Sequence, residues 1–107
     1  MINPAISKFP EIICLGEALV DRLGSPGKEL FQINDVKDYL GGAPANVACG
    51  LAQLGKTVAF VGRLGKDEKS NCFFDLMRER NMVLYGIQVD QIRPTRVVLV
   101  KRDLKND

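Results

Sequence analysis

At 107 residues the chain can form one domain with a modest core. Hydrophobic residues make up 46% and charged residues 26%, a globular composition that argues against disorder. The formal charge of +2, carried by scattered basic residues, gives no reason to expect a nucleic acid or a membrane as partner, and with no histidine any acid–base work falls to carboxylates, lysines or cysteines.

Residues 1–10 carry Lys8 and Pro10 but no sustained apolar stretch, which argues against a secretory signal. Glu11 to Leu15 is a short apolar run ended by Gly16, the pattern of a strand buried on both faces. Ala18-Leu19-Val20 is read as extending it, with Asp21 closing it on a carboxylate. Gly24-Ser25-Pro26-Gly27 is turn chemistry, and Leu30 to Leu40, with Phe31, Ile33, Val36 and Tyr39, reads as short, partly exposed strands.

Gly41-Gly42-Ala43-Pro44-Ala45-Asn46-Val47-Ala48 is unusual for a loop. Glycine permits positive φ and close backbone approach, and proline fits a helix's first turn. The octet therefore predicts a tight turn opening into a helix over Ala43 to Leu54, ended by Gly55. Its first N–H groups would face an oxygen-rich or anionic ligand, or the octet is an ordinary loop-to-helix junction. Thr57 to Gly62 is a second buried strand. Asp67 is placed to cap a helix from Glu68 to Asn81, with Phe73, Leu76 and Met77 inward and Asp75, Arg78 and Glu79 outward. Val83 to Val89 and Arg96 to Lys101 are strand-like, and Asp103 to Asp107 reads as a turn. This order predicts an α/β sandwich with a parallel sheet.

Two further patterns read as decoys. Gly50-Leu51-Ala52-Gln53-Leu54-Gly55-Lys56-Thr57 fits the phosphate-loop spacing, yet such a loop needs a strand before it and a helix after it. Here the order is reversed, so Gly55-Lys56 reads as helix termination. Cys14, Cys49 and Cys72 are odd in number, with no C-x-x-C pair, so no metal site is expected. Cys14 and Cys49 read as small core side chains in a reducing, cytoplasmic setting.

The Gly41-to-Ala48 octet, Gly55 and Gly65 at their spacings, Gly65-Lys66-Asp67, and Leu15-Gly16-Glu17-Ala18-Leu19-Val20-Asp21 together resemble the N-terminal signature of PfkB-type, or ribokinase-like, carbohydrate kinases. Pro44 and the Gly16-Glu17 pair look most like the fructokinase branch. The resemblance implies a partial ribokinase-like three-layer sandwich, with a parallel sheet core and a small β-stranded lid over about residues 22–40 and 83–107. It implies substrate binding by Asp21, Gly41, Gly42 and Asn46: the carboxylate accepts from sugar hydroxyls, the glycines admit the ring, and the amide meets another hydroxyl. Without it, Asp21 reads as a solvated carboxylate and Asn46 as a helix-start residue. Arg96, at the start of a lid strand, is within reach of substrate or is a strand-edge charge.

In that family ATP donates its γ-phosphoryl group to a sugar hydroxyl, with an aspartate base in a Gly-Ala-Gly-Asp-like motif. That motif occurs nowhere in these residues, so no catalytic residue is assigned. The chain is expected to be the N-terminal part of a single kinase domain that lacks the ATP-binding part, inactive alone and exposing apolar surface. ATP and Mg²⁺ belong to the full-length enzyme, with neither expected on this fragment. Fructose is the expected sugar over ribose, adenosine or 2-keto-3-deoxygluconate, and the lid strands offer a homodimer contact. The alternative is a non-catalytic truncated paralogue that serves as a binding or dimerisation module.

Overall fold

A computed structural model of the chain describes residues 9–24 and 36–101. Strand β1 is Ile12–Leu15, β2 Leu19–Gly24 and β3 Val36–Gly41; helix α1 is Ala43–Gln53, β4 Val58–Gly65, α2 Glu68–Glu79, β5 Ile87–Asp90 and β6 Val97–Val100. The turns read at residues 24–27 and 103–107, and Leu30, Phe31 and Ile33, fall wholly or largely outside the described residues.

The longest strand, β4, is the centre of a parallel sheet ordered β1-β4-β5, with Ile12 opposite Val58 and Gly62 opposite Ile87. Burial from water drives this placement: Val58, Ala59 and Phe60 are almost wholly inaccessible. Phe60 joins Ala45, Ala48, Cys49 and Ala52 of α1 and Phe73 and Met77 of α2 in one core. Small side chains on α1 let its backbone approach the sheet closely. Burying Phe60 and Phe73 contributes about 2 kcal/mol each relative to exposure. This is the expected α/β class with a parallel core.

Alternation along β1 puts Ile12 and Cys14 toward that core and Ile13 and Leu15 on the opposite face. There Ile13 is 63% and Leu15 73% exposed, so β1 is covered on one face and not on both as expected. Apolar surface is thus open on that face of β1.

Ala18-Leu19-Val20 does not extend the first strand. Gly16 has φ of 147°, and the chain turns there out of the core sheet. Leu19 begins β2 of a second sheet ordered β3-β2-β6, antiparallel to β3 and parallel to β6. The expected lid segment 83–107 divides as well. Val83 bridges Ala59, and β5 pairs with β4, so this part belongs to the core sheet. Of the described residues in that segment, β6 enters the second sheet. A turn that donates Ile87 N–H to Leu84 C=O breaks the run read as one strand from Val83 to Val89.

Helix ends follow the sequence closely. Gly55 has φ of 94°; it donates to Ala52 C=O while Lys56 N–H donates to Leu51 C=O, the paired bonds of a Schellman termination. The Gly50-to-Thr57 match to a phosphate loop is therefore a helix end whose N–H groups are spent on the helix. Asn81, with φ of 56°, ends α2 in the same way: it donates to Arg78 C=O and Met82 N–H donates to Met77 C=O. The buried side chains of Met77 and Met82 both join the core cluster.

Candidate substrate site

The octet folds as its composition dictates. Gly41 ends β3, Gly42 is the N-cap of α1 with φ of 95°, and Pro44 occupies the first turn. Gly42 allows no side chain: a Cβ there would stand 2.5 Å from Glu17 C=O and 3.2 Å from the Ala18 Cα. Gly16 is fitted to the same junction, because a Cβ on it would lie 2.7 Å from the Pro44 Cγ. The octet thus packs closely against the Gly16-to-Ala18 turn, with Pro44 over Gly16.

Asp21 sits in the middle of β2, opposite Tyr39 of β3 and Val98 of β6. Its half-buried carboxylate lies over the backbone of Gly41, so a Cβ at position 41 would collide with Oδ2. Among the described residues it has no hydrogen-bond partner. By the alternation of strands, Leu19, Asp21, Tyr39, Gly41 and Val98 share one face of the second sheet. Arg96, whose C=O accepts from Val20 N–H, falls on that face too. Its guanidinium donates to Glu17 Oε2 at 2.8 Å, so it is an ion-paired surface group.

Asn46 lies in the first turn of α1, where its N–H donates to Gly42 C=O at 2.9 Å and its side chain is exposed. The structure therefore brings Asp21 and Gly41 into contact and sets Gly42 and Asn46 at the same β3–α1 junction. A carboxylate, a bare glycine backbone and a free amide can together satisfy the donors and acceptors of a polyhydroxy ligand.

Beyond Glu17 and Ala18 a groove of about 460 Å³ opens at the carboxyl edge of the core sheet, where open α/β folds bind ligands. Arg63, Asp90, Arg93, Thr95 and Arg96 line it, whereas Asp21, Gly41 and Asn46 do not. Sequence reading missed this cluster apart from Arg96. The available signal was Asp90 followed closely by Pro94, a turn-forming arrangement. Asp90 Oδ1 accepts from the N–H groups of Ile92 and Arg93, both at 2.9 Å, and Oδ2 accepts from Arg63 Nε at 3.2 Å.

The Arg93 and Ile92 N–H groups, with the nearby Arg63 charge, hold the Asp90 carboxyl below the usual carboxylate range against a smaller opposing effect of burial. The hydrogen bond from Arg22, which pairs β2 to β3, does the same for Asp38. Carboxyls depressed in the fold contribute stability above about pH 4 that is lost as pH falls through their folded values. We expect the melting temperature to drop on acidification below about pH 4. We also expect the deficit of Asp90→Asn, clear at pH 7, to shrink by pH 2.5. Thermal scans of both proteins across that range check this.

Among the described residues no helix is long and apolar enough to cross a membrane, and no group of three His, Cys, Asp or Glu side chains could hold a metal ion.

The pattern described as pfkB family carbohydrate kinase matches residues 10–106. Fructokinase-2 of Zea mays is 34% identical over 97 residues, covering 90% of this chain and 28% of the maize protein. The fructokinase structure of Halothermothrix orenii superposes with a TM-score of 0.74 at 35% identity, over 84% of this chain and 33% of that one. The Xylella fastidiosa fructokinase with bound ATP gives a TM-score of 0.74 at 36% identity, over 87% of this chain and 30% of that one. The ribokinase-like fold is therefore the fold of these residues, which span about a quarter to a third of the length of the relatives they match.

Proposed function

The chain belongs to the pfkB family of carbohydrate kinases, and from that we propose that it forms the sugar-binding N-terminal part of a fructokinase-type enzyme. The observation that carries this reading is the Asp21 carboxylate, unpartnered among the described residues and seated over Gly41 beside the first turn of α1. Asp21 accepts hydrogen bonds from two sugar hydroxyls, the Gly41-Gly42 backbone lies against the ring, and the Asn46 amide holds a further hydroxyl. The second sheet acts as the lid over the sugar, and its strands offer the contact for a homodimer.

In the reaction a sugar hydroxyl oxygen attacks the γ-phosphorus of ATP, ADP leaves, and the hydroxyl proton passes to a base. Positioning and charge stabilisation supply most of the rate in such transfers. The residues of this chain hold the acceptor hydroxyl in place. The base, the ATP site and the Mg²⁺ ligands are assigned to the remainder of the full-length enzyme, so these residues alone bind without turnover.

A coupled ADP-release assay of the full-length product against fructose, ribose, adenosine and 2-keto-3-deoxygluconate tests the proposal. Fructose is expected to give the highest kcat/KM. Activity with another sugar in its place overturns the fructokinase branch, and no activity with any of them overturns the kinase reading.

A further inference from the structure

Capping a helix takes one carboxylate oxygen, and Asp67 uses both of its own. Oδ1 accepts from Ser70 N–H at 2.9 Å, which caps α2. The same oxygen accepts from the Thr95 hydroxyl at 2.8 Å, and Oδ2 accepts from Thr95 N–H at 2.7 Å. Thr95 Oγ1 in turn accepts from Gly65 N–H at 3.1 Å, at the end of β4. Thr95 is 4% exposed, and its backbone packs so closely on Gly65 that residue 65 has no room for a Cβ. The Asp67 carboxyl is held below its usual range: burial pushes it up, but the bonds from Thr95 and Ser70 together outweigh that.

Thr95 is the last residue before Arg96 and strand β6, and β6 pairs along β2 with Val98 beside Asp21. Gly65, Asp67 and Thr95 therefore tie the end of the core strand and the start of α2 to the point where the chain enters the second sheet. We propose that Asp67 is a positioning residue for the sugar site, setting the Asp21-bearing sheet against the core through its grip on Thr95. This rests on the sugar-kinase reading above.

Asp67→Asn separates the two roles. Asparagine caps helices well, but with its oxygen toward Ser70 its NH₂ faces the Thr95 N–H, donor against donor. Asp67→Ser keeps a capping oxygen on a side chain too short to hold Thr95 as well. In the full-length enzyme both variants are expected to raise the KM for sugar about tenfold while the KM for ATP stays within twofold. Amide hydrogen exchange at Thr95 is expected to quicken.

A lower melting temperature with both KM values unchanged overturns the proposal, because capping alone then accounts for Asp67. So does an equal rise in both KM values. If Asp67→Asn does not fold, Asp67→Ser decides. If the unsubstituted enzyme releases no ADP with any sugar, the kinase reading fails, and with it the proposed role of Asp67 in sugar binding; unchanged exchange at Thr95 would then refute the clasp itself.

Discussion

Replacing Asp21 by alanine is expected to lower kcat/KM for the sugar by about 10³-fold while leaving the melting temperature of the full-length enzyme nearly unchanged. The carboxylate makes no hydrogen bond to any described residue, so its removal orphans no buried donor. Its backbone bonds to β3 and β6 persist in any residue. On the proposed reading, what is lost is a pair of charge-assisted hydrogen bonds to sugar hydroxyls. Each contributes about 1.5–3 kcal/mol, and every 1.4 kcal/mol is a factor of ten.

Asp21→Asn, which keeps one acceptor oxygen, is expected to fall between. Gly41→Ala is expected to resemble the alanine variant in activity, since its Cβ would occupy the place of Oδ2. Steady-state kinetics beside thermal scans check the set. A large drop in melting temperature for Asp21→Ala would show a structural role in place of a binding one.

Gly42→Ala is expected to cost about 3 kcal/mol or more of folding stability. Two penalties add. The φ of 95° with ψ of 126° lies outside the regions open to residues with a Cβ, a strain of about 1–3 kcal/mol. The new Cβ would also stand 2.5 Å from Glu17 C=O, and the obstacle is backbone, which cannot rotate aside. Relief would require moving the Gly16-to-Ala18 turn on which Pro44 packs, and with it the start of β2.

Gly55→Ala is the internal control. It has a similar φ of 94°, but no heavy atom beyond its immediate chain neighbours lies within 4 Å of its would-be Cβ, so strain alone acts. Its cost is expected at about 1 kcal/mol. Chemical denaturation of both variants measures the difference, and equal costs would mean that the contact with Glu17 does not constrain the fold.

The features readable from the sequence were those fixed by neighbours in the chain. Gly55 as a helix terminator and Asp67 as a cap depend on bonds within a few residues, and their residue types state the geometry required. The inward set Phe73 and Met77 followed from helical period alone. Asp21 and Gly41 were placed in one site by resemblance, and their contact arises across a strand pair that no local pattern specifies.

What was not legible depends on pairing at long range. Leu19 looked like a continuation of β1 because an apolar run carries no mark of which sheet it joins; the chain leaves the core sheet at Gly16, where the φ of 147° is open to glycine. Ile87 to Asp90 has the composition of either sheet, and its pairing with β4 follows the bridge at Val83. The second oxygen of Asp67 finds Thr95 across 28 positions, and Arg96 finds Glu17 across 79. Such contacts exist only once both sheets are assembled.

A crystal structure of the full-length protein with fructose bound decides whether the β3–α1 junction and Asp21 hold the sugar. Sugar oxygens are expected within hydrogen-bond distance of both Asp21 carboxylate oxygens and of the Asn46 side-chain amide, with the ring against Gly41 and Gly42. A sugar bound with no contact to Asp21 or Asn46 would contradict it.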